Sequence, residues 1–549
     1  VIATFQHRSP GKCRRLAGFR RWAFRAIVPL LLAFAPTPAL GQFGRDSSTD
    51  WLMSAGSEGE RYLRVMQITG QSTPSPWSVR SMSIRERRRL APVDSTLPWA
   101  GRMTPRPVGS RWVRALQPEL AGIGNSSFPY GFNDGPVWAG RGLTVSASAG
   151  LEGAIGPLEF ELAPQVFWTS NGAFPLVPNG RPGLQAFGEA FSDMIDLPQR
   201  FGDGPYQRAD PGQSSIRVHL AALAFGVSTA NEAWGPAVEN PFILGTNAAG
   251  FPHVFLGTDR PLTLGPVSGS LRVLVGRLDQ SAYSVPTGFS HRSLAASVFS
   301  LGLSYLPGLE VGVARAFMSP WPDEGLSVSG LLRPLLQTPF KASLARKIGG
   351  LGNSPDDQLA SVFARWSFPR SGVELYGELG KEDNSFDLRD LIEEPDHDVS
   401  YLVGFQRAWR RSPQRVLVLR GELMNSSISR LALVRPQEPA YTHSVSRQGY
   451  TQMGQALAAP AGFGGGGTVL ALDWFSPDGR QTLTWRHTLR APYPAATPRD
   501  VQHAVSAEWL LLRPRIDLVP EITGVYELNR PSWGDALNLR LALSARAHW

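Results

Sequence analysis

"LNLRLALSARAHW", Leu537 to Trp549, closes the chain and decides how the rest of it is read. Leu537, Leu539, Leu541 and Leu543 take every second position, continued by Ala545, Ala547 and Trp549. Asn538, Arg540, Ser544, Arg546 and His548 lie between them. Successive side chains of a strand point to opposite faces, so one face here is wholly apolar and the other polar and cationic. Hydrocarbon suits the first face and a polar interior suits the second.

The same alternation recurs upstream, from about Gly140 onward. "SIRVHLA" sets Ile216, Val218 and Leu220 against Arg217 and His219, and "LTWRHTLR" sets Leu483, Trp485, His487 and Leu489 against Thr484, Arg486, Thr488 and Arg490. "GVELYGEL" opposes Val373, Leu375 and Leu379 to Glu374, Tyr376 and Glu378, and "VLVLRGELM" puts Arg420 and Glu422 on one side. A soluble β-sandwich also alternates. Arg and Glu on the polar face of strand after strand, aromatics near strand ends and an aromatic terminus favour an outer-membrane barrel instead. Only a closed sheet satisfies every strand's backbone hydrogen bonds in hydrocarbon. The stretch left for the barrel allows roughly 16 to 20 strands of about 9–11 residues with their connections, an even number being expected.

Composition agrees. Of 549 residues, 57 are Gly, 46 Pro and 16 Trp, and only 18% are charged, which suits many turns between ordered strands rather than long helices or disorder. The formal charge of +9 is local: seven of the 54 basic residues and none of the 45 acidic ones fall in residues 1–41. The remainder carries 47 against 45, a net of +2, and no nucleic-acid partner is indicated. Residues 1–41 read as a secretory signal: a basic start, the apolar run "AIVPLLLAFA" at 26–35, and small residues Ala39 and Gly41 before a cut at Gln42. That run is too short for the roughly 20 residues of a spanning helix. The single cysteine, Cys13, lies within residues 1–41, so disulfide and thiol chemistry are not expected after processing.

Residues 42–135 read as an N-terminal, partly helical periplasmic or plug region, and residues 136–549 as the barrel. "SEGERYLRVMQITG" at 57–70 groups Tyr62, Leu63, Met66 and Gln67 on one helical face, with Gly70 as its stop. "SIRERRRLAP" at 83–92 predicts a second short helix, with Ser83 and Glu86 at capping-box spacing.

The densest segment is "NEAWGPAVENPFILGTNAAGFPHVFLG", Asn231 to Gly257. Aromatic faces stack on sugar rings and amides pair with hydroxyls, so Trp234, Asn240, Asn247 and His253 suit a carbohydrate surface. Trp-Gly-Pro and Asn-Ala-Ala-Gly also simply build tight turns, and on chemistry alone that plainer reading is preferred.

The segment resembles the Wzi family of bacterial capsule assembly proteins, through Trp234–Gly235–Pro236, Asn240–Pro241, Asn247–Ala248 and Pro252. "VELYGELGKEDN…PDHDVSYLVGFQ" is similar to that family's acidic strand and following His-Asp region. "YTHSVSRQGYTQMGQALAAPAGFGG" resembles its His…Gly-Tyr-Thr…Gly pattern through His443, Gly449, Tyr450, Thr451, Gly454 and Gly462. The leader-like "RYLRVMQITG…PWSVRSMSIRERRRL" is similar too, so scattered motifs cover most of residues 58–549. The N-terminal region is richer in Pro and Arg than the family's pattern, and the loops richer in Gly.

The resemblance implies an 18-stranded outer-membrane barrel of a Gram-negative bacterium with a helical plug, acting as a lectin that holds capsular or related polysaccharide at the cell surface. Its implied partners are surface polysaccharide, outer-membrane lipid and lipopolysaccharide, and the barrel assembly machinery through the strand ending at Trp549. Trp234, Asn240, Asn247, His253, His443 and Tyr450 are the expected polysaccharide-binding residues. The competing expectation is a porin-like diffusion channel. No Gly-x-Ser-x-Gly elbow, His-Glu-x-x-His or phosphate loop appears, so no enzyme, cofactor or metal is expected. Glu374, Glu378, Glu382 and Asp383 read as interior charges balancing Arg407, Arg410, Arg411, Arg415 and Arg420, and His443–Ser444 is a neighbouring His–nucleophile pair.

Overall fold

A computed structural model describes residues 54–548 apart from 73–74, 91–98, 100–109, 324, 338–355, 383–384, 386, 413, 429–436, 491–498, 531 and 533. The expected signal segment, Asp383 and Trp549 lie outside the described residues. Among those described, 18 strands form one closed antiparallel barrel. They are β1 (Arg111–Asn125), β2 (Gly142–Ile155), β3 (Leu158–Leu162 continued by Gln165–Thr169), β4 (Tyr206–Asp210 continued by Ser215–Leu220), β5 (Leu223–Ser228) and β6 (His253–Thr258 continued by Leu262–Leu264). Then come β7 (Val267–Asp279), β8 (His291–Leu303), β9 (Leu306–Pro320), β10 (Asp357–Phe368), β11 (Val373–Glu382) and β12 (Val399–Ser412). The last six are β13 (Arg415–Asn425), β14 (Gly465–Ser476), β15 (Gly479–Arg490), β16 (Asp500–Leu511), β17 (Ile516–Arg530) and β18 (Gly534–Ala547). Closure runs from Glu119↔Arg546 to Asn125↔Arg540.

The barrel therefore begins at Arg111 and not at 136. Its first strand escapes a period-of-two reading because its register with β2 slips between Leu116 and Glu119. Trp112 and Leu116 are buried before the slip, and Ile123 and Asn125 after it, so the inward face changes from even to odd positions. Pro118, which has no N–H for the ladder, sits at that bulge.

Elsewhere the alternation holds. Leu539, Leu541 and Leu543 are exposed while Arg540 is buried against Glu521 at 2.6 Å. Arg546 pairs with Glu119 at 2.9 Å and His548 with Asp517 at 2.9 Å. Exposed Leu375, Leu379, Leu483 and Val505 continue the apolar outer band around the wall.

Connections at one end are tight, as at 156–157, 221–222, 265–266 and 477–478, and at the other end most are long, including 170–205, 229–252 and 426–464. Short turns mark the periplasmic end of such barrels and long loops the extracellular end. Helix α1 (Glu58–Ile68) starts at Ser57, whose hydroxyl caps Glu60 N. It buries Tyr62, Leu63, Met66 and Gln67, and Gly70 stops it with φ of +72°. Helix α2 (Ile84–Leu90) carries the expected box: Ser83 N donates to Glu86 at 2.7 Å and Glu86 N to Ser83 Oγ at 3.1 Å. Both lie inside the periplasmic end. Tyr62, Met66, Trp77 and Trp99 pack on Val416, Val418 and Phe475 of the wall, with Tyr62 and Trp99 stacked at 4.7 Å. Helices α3 (Val328–Leu336) and α4 (Leu388–Glu393) belong to long loops.

Candidate functional site

The loop at 229–252 turns into the barrel, because its polar backbone finds partners there. Ala233–Trp234 forms a two-residue ladder with Val79–Arg80, joining the extracellular loop to the N-terminal segment. Gly235 N donates to Ser78 O at 2.9 Å, Arg80 donates to Gly235 O at 3.2 Å, and Arg64 donates to Pro236 O at 2.6 Å. Gly235 has φ of +80°, and a Cβ there would lie 2.6 Å from the Glu378 carboxylate. Trp-Gly-Pro is thus the clasp between two inserted segments, which gives the sequence a reason for a glycine at that position.

Wall carboxylates grip the inserted chain. Glu422 accepts from Val238 N and Asn240 N, each at 2.7 Å, and Glu310 accepts from Trp77 N at 2.8 Å. Glu374 is held between Arg64 at 2.7 Å and Arg365 at 2.6 Å, while Arg480 reaches Glu58 at 2.6 Å and Asp473 at 3.2 Å. The interior-charge expectation therefore holds for Glu374 with different partners. Of the five arginines expected to balance it, Arg420 is buried inward on Glu239 and Asp473, whereas Arg410, Arg411 and Arg415 are exposed at the periplasmic end. Arg407 lies over Trp409. Burial alone would raise the Glu239 carboxyl, and Arg420 and Arg486 outweigh it, holding it at about 2. Burial pushes Asp134 up despite Arg540.

Four of the six expected binding residues are fully buried. Trp234 Nε1 donates to Glu232 at 3.1 Å, on which Arg272 (2.6 Å) and His253 (3.7 Å) also converge. Glu232 is a hub that no local pattern announces. Burial raises its carboxyl, yet Arg272 and His253 hold it well below the usual carboxylate range. Asn240 donates to Glu422 at 3.1 Å. Tyr450 stacks on Tyr441 at 5.7 Å within the same core as Trp234, and Tyr441 in turn donates to Phe242 O at 2.8 Å.

Asn247 and His443 are only half-buried. Asn247 donates to Ala456 O at 3.0 Å. His443 Nδ1 accepts from Ser446 N at 2.9 Å, on an extracellular cap where Arg447 pairs with Asp193 and Phe187 meets Tyr283 edge-on at 5.9 Å. Two polar chambers of about 250 and 310 Å³ lie between the inserted segments and the wall, both bordered by Gly56, Asn133, Asp134 and Thr246. Arg64 Nη1, Asn133 Oδ1, Arg486 Nε and Arg540 Nε have no hydrogen-bond partner among the described residues, which marks the first chamber as a place for water or a hydroxylated solute.

A family model described as capsule assembly protein Wzi matches residues 128–518. The chain is similar in structure to Wzi of Escherichia coli, an outer-membrane protein involved in group 1 capsule assembly and a carbohydrate-binding β-barrel: TM-score 0.60, 12% identity, 89% of this chain and 98% of that one covered. More distant likenesses are a BenF-like porin from Pseudomonas fluorescens (TM-score 0.40, 10% identity, 80% and 99% covered) and OccAB3 from Acinetobacter baumannii (TM-score 0.38, 9% identity, 80% and 99% covered). Among curated protein sequences none matches the chain.

Proposed function

The chain belongs to the Wzi family of capsule assembly proteins, and from that premise we propose that this outer-membrane barrel binds surface polysaccharide at its extracellular cap and helps attach it there. The observation that carries the reading is the filled interior. Inserted segments from both ends clasp one another at Trp234–Gly235–Pro236, which suits a rigid binding platform better than a diffusion path. Asn247 and His443 are the contacts we assign to sugar, with Phe187 and Tyr283 of the extracellular loops as stacking faces. Trp234, Asn240, His253 and Tyr450 act from below, fixing the loops that present the cap. Each sugar contact is weak, and a long polymer is held by many repeats meeting many copies of the barrel. We assign the acidic side chains to the interior charge network rather than to catalysis.

The test is a strain whose sole copy carries Asn247→Ala and His443→Ala, with cell-bound and shed polysaccharide measured side by side. Heat-modifiable gel mobility first establishes that the barrel has assembled. More shed polymer with normal assembly supports the reading; unchanged retention with normal assembly overturns it.

A further inference from the structure

Helix α3 is not inside the barrel. On β9, Val311 and Val313 are exposed on the outer wall while Ala314, Ala316 and Met318 pack into the interior core, so Arg315 and Phe317 point outward. On β8 and β7 the interior core takes Leu294, Ala296, Leu274 and Leu278, leaving Ser293, Ala295, Ser297, Val273 and Val275 on the outside. Outward residues of this wall are elsewhere exposed, yet Val273 is 1% and Val275 2% exposed, and Ala295 and Phe317 are buried as well. The element that covers them is α3, which packs on β7, β8 and β9. The small side chains Ser293, Ala295 and Ser297 let it approach the sheet closely.

The clamp is specific. An outward arginine on a barrel wall is disfavoured by lipid, most strongly near the bilayer midplane and less toward the interface. Here Arg315 donates to the carbonyl of Gln337, at the helix C-cap, at 2.5 Å and to Gln358 at 3.3 Å, and it lies 4.5 Å from the centre of the Phe317 ring. Arg333 of the helix covers the same ring at 5.0 Å and pairs with Asp356. The helix hides the arginine, and the C-terminal carbonyl it offers is the pole of the helix dipole that favours a cation.

The other side of α3 is apolar and uncovered: Val328 is 73% and Leu336 72% exposed, beside exposed Leu326 and Leu335. This face continues the outer apolar band of Phe299, Val311, Val313 and Val362. It sits in the half of β7–β9 nearest the long loops, close to Asp279, His291 and Pro320. We propose that α3 is an interfacial helix on the outside of the barrel, bedded in the acyl chains of the outer leaflet, with Arg315 and Arg333 fastening it to the wall. Amphipathic helices bury their apolar face just below the headgroups in this manner.

The test places a nitroxide on a cysteine at Leu336 in the full chain carrying Cys13→Ser, in vesicles of phosphatidylethanolamine, phosphatidylglycerol and lipopolysaccharide. Reference labels are Leu541→Cys on the apolar wall and Pro286→Cys on an exposed extracellular loop. Collisions with oxygen but loss of collisions with a water-soluble nickel chelate, as for the Leu541 label, are expected. Nickel accessibility like that of the Pro286 label overturns the proposal, since the helix then lies in water. Dipolar broadening between labels on different chains, with oxygen excluded, overturns it in favour of a second copy. Arg315→Leu should mobilise the Leu336 label in an assembled barrel, and an unchanged spectrum there refutes the arginine clamp.

Discussion

Removing the Glu422 carboxylate should open the inserted loop without opening the wall. That carboxylate accepts from Val238 N and Asn240 N at 2.7 Å each, from Asn240 Nδ2 at 3.1 Å and from the Tyr376 hydroxyl at 3.0 Å. Glu239 N shares it at 3.2 Å. Hydrogen bonds to a charged group contribute about 1.5–3 kcal/mol each, but donors on one acceptor do not add in full. Glu422→Ala strands several buried donors at once, so a cost of about 3–5 kcal/mol is expected, the range for breaking one side of a buried charged arrangement. Four kcal/mol of that falling on the loop alone raises its opening equilibrium by roughly a thousandfold. The wall itself is untouched, because β13 stays paired along its length with β12 and β14 through backbone bonds. Hydrogen exchange resolved to Val238–Asn240 measures the opening directly, with Glu422→Gln falling between wild type and alanine because one acceptor oxygen survives. Exchange at those amides within about tenfold of wild type, in an assembled barrel, would refute the view that wall carboxylates hold the insert.

Leu541→Arg places a charge on the apolar outer face and should cost about 2–4 kcal/mol if that position lies near the midplane, whereas Leu541→Val is tolerated; thermal midpoints of heat-modifiable mobility rank the two. For Glu58 and Glu239, burial raises the carboxyl and neighbouring arginines more than reverse it, so both titrate at about 2 when folded against 4.5 otherwise. Each therefore contributes stability, on the order of 3 kcal/mol, that is fully present above pH 4.5 and lost as pH falls toward 2. Asp134, pushed up by burial, runs the other way and offsets part of that loss. Protease accessibility of residues 54–70 against pH should rise over that acidic window while the strand ladder persists. In planar bilayers the purified protein should show no steady single-channel conductance; a stable open level would favour the diffusion-channel reading. Mass analysis of the exported protein should find Gln42, or a residue within two of it, at the N-terminus.

Most of the wall was legible from alternation along single strands. Lipid demands an apolar side chain at every second position, and a buried charge demands a partner, so Leu539, Arg540 and Leu541 disclose both faces of β18 without neighbours. The same holds for the box that starts α2, which depends on residues three apart, Ser83 with Glu86. Where a bulge reversed the alternation at Gln117–Pro118, the local rule failed and a strand read as part of the plug. The site was less legible still. Trp234, Gly235 and Pro236 form a tight turn whether it faces water, sugar or Arg64, and only the closed barrel brings Arg64 and Arg80 onto those carbonyls. Glu232, Glu422 and Asp473 are ordinary acids in sequence, made decisive by arginines or amides tens to hundreds of residues away. Helix α3 is the sharpest case. Its leucines would suit a buried face, and it is the outward Arg315 on β9, reaching the Gln337 carbonyl, that fixes which side of the wall it occupies. Alternation and capping act between near neighbours and survive translation into a one-dimensional code; which group meets which charge across the barrel is set by closure, and closure exists only in three dimensions.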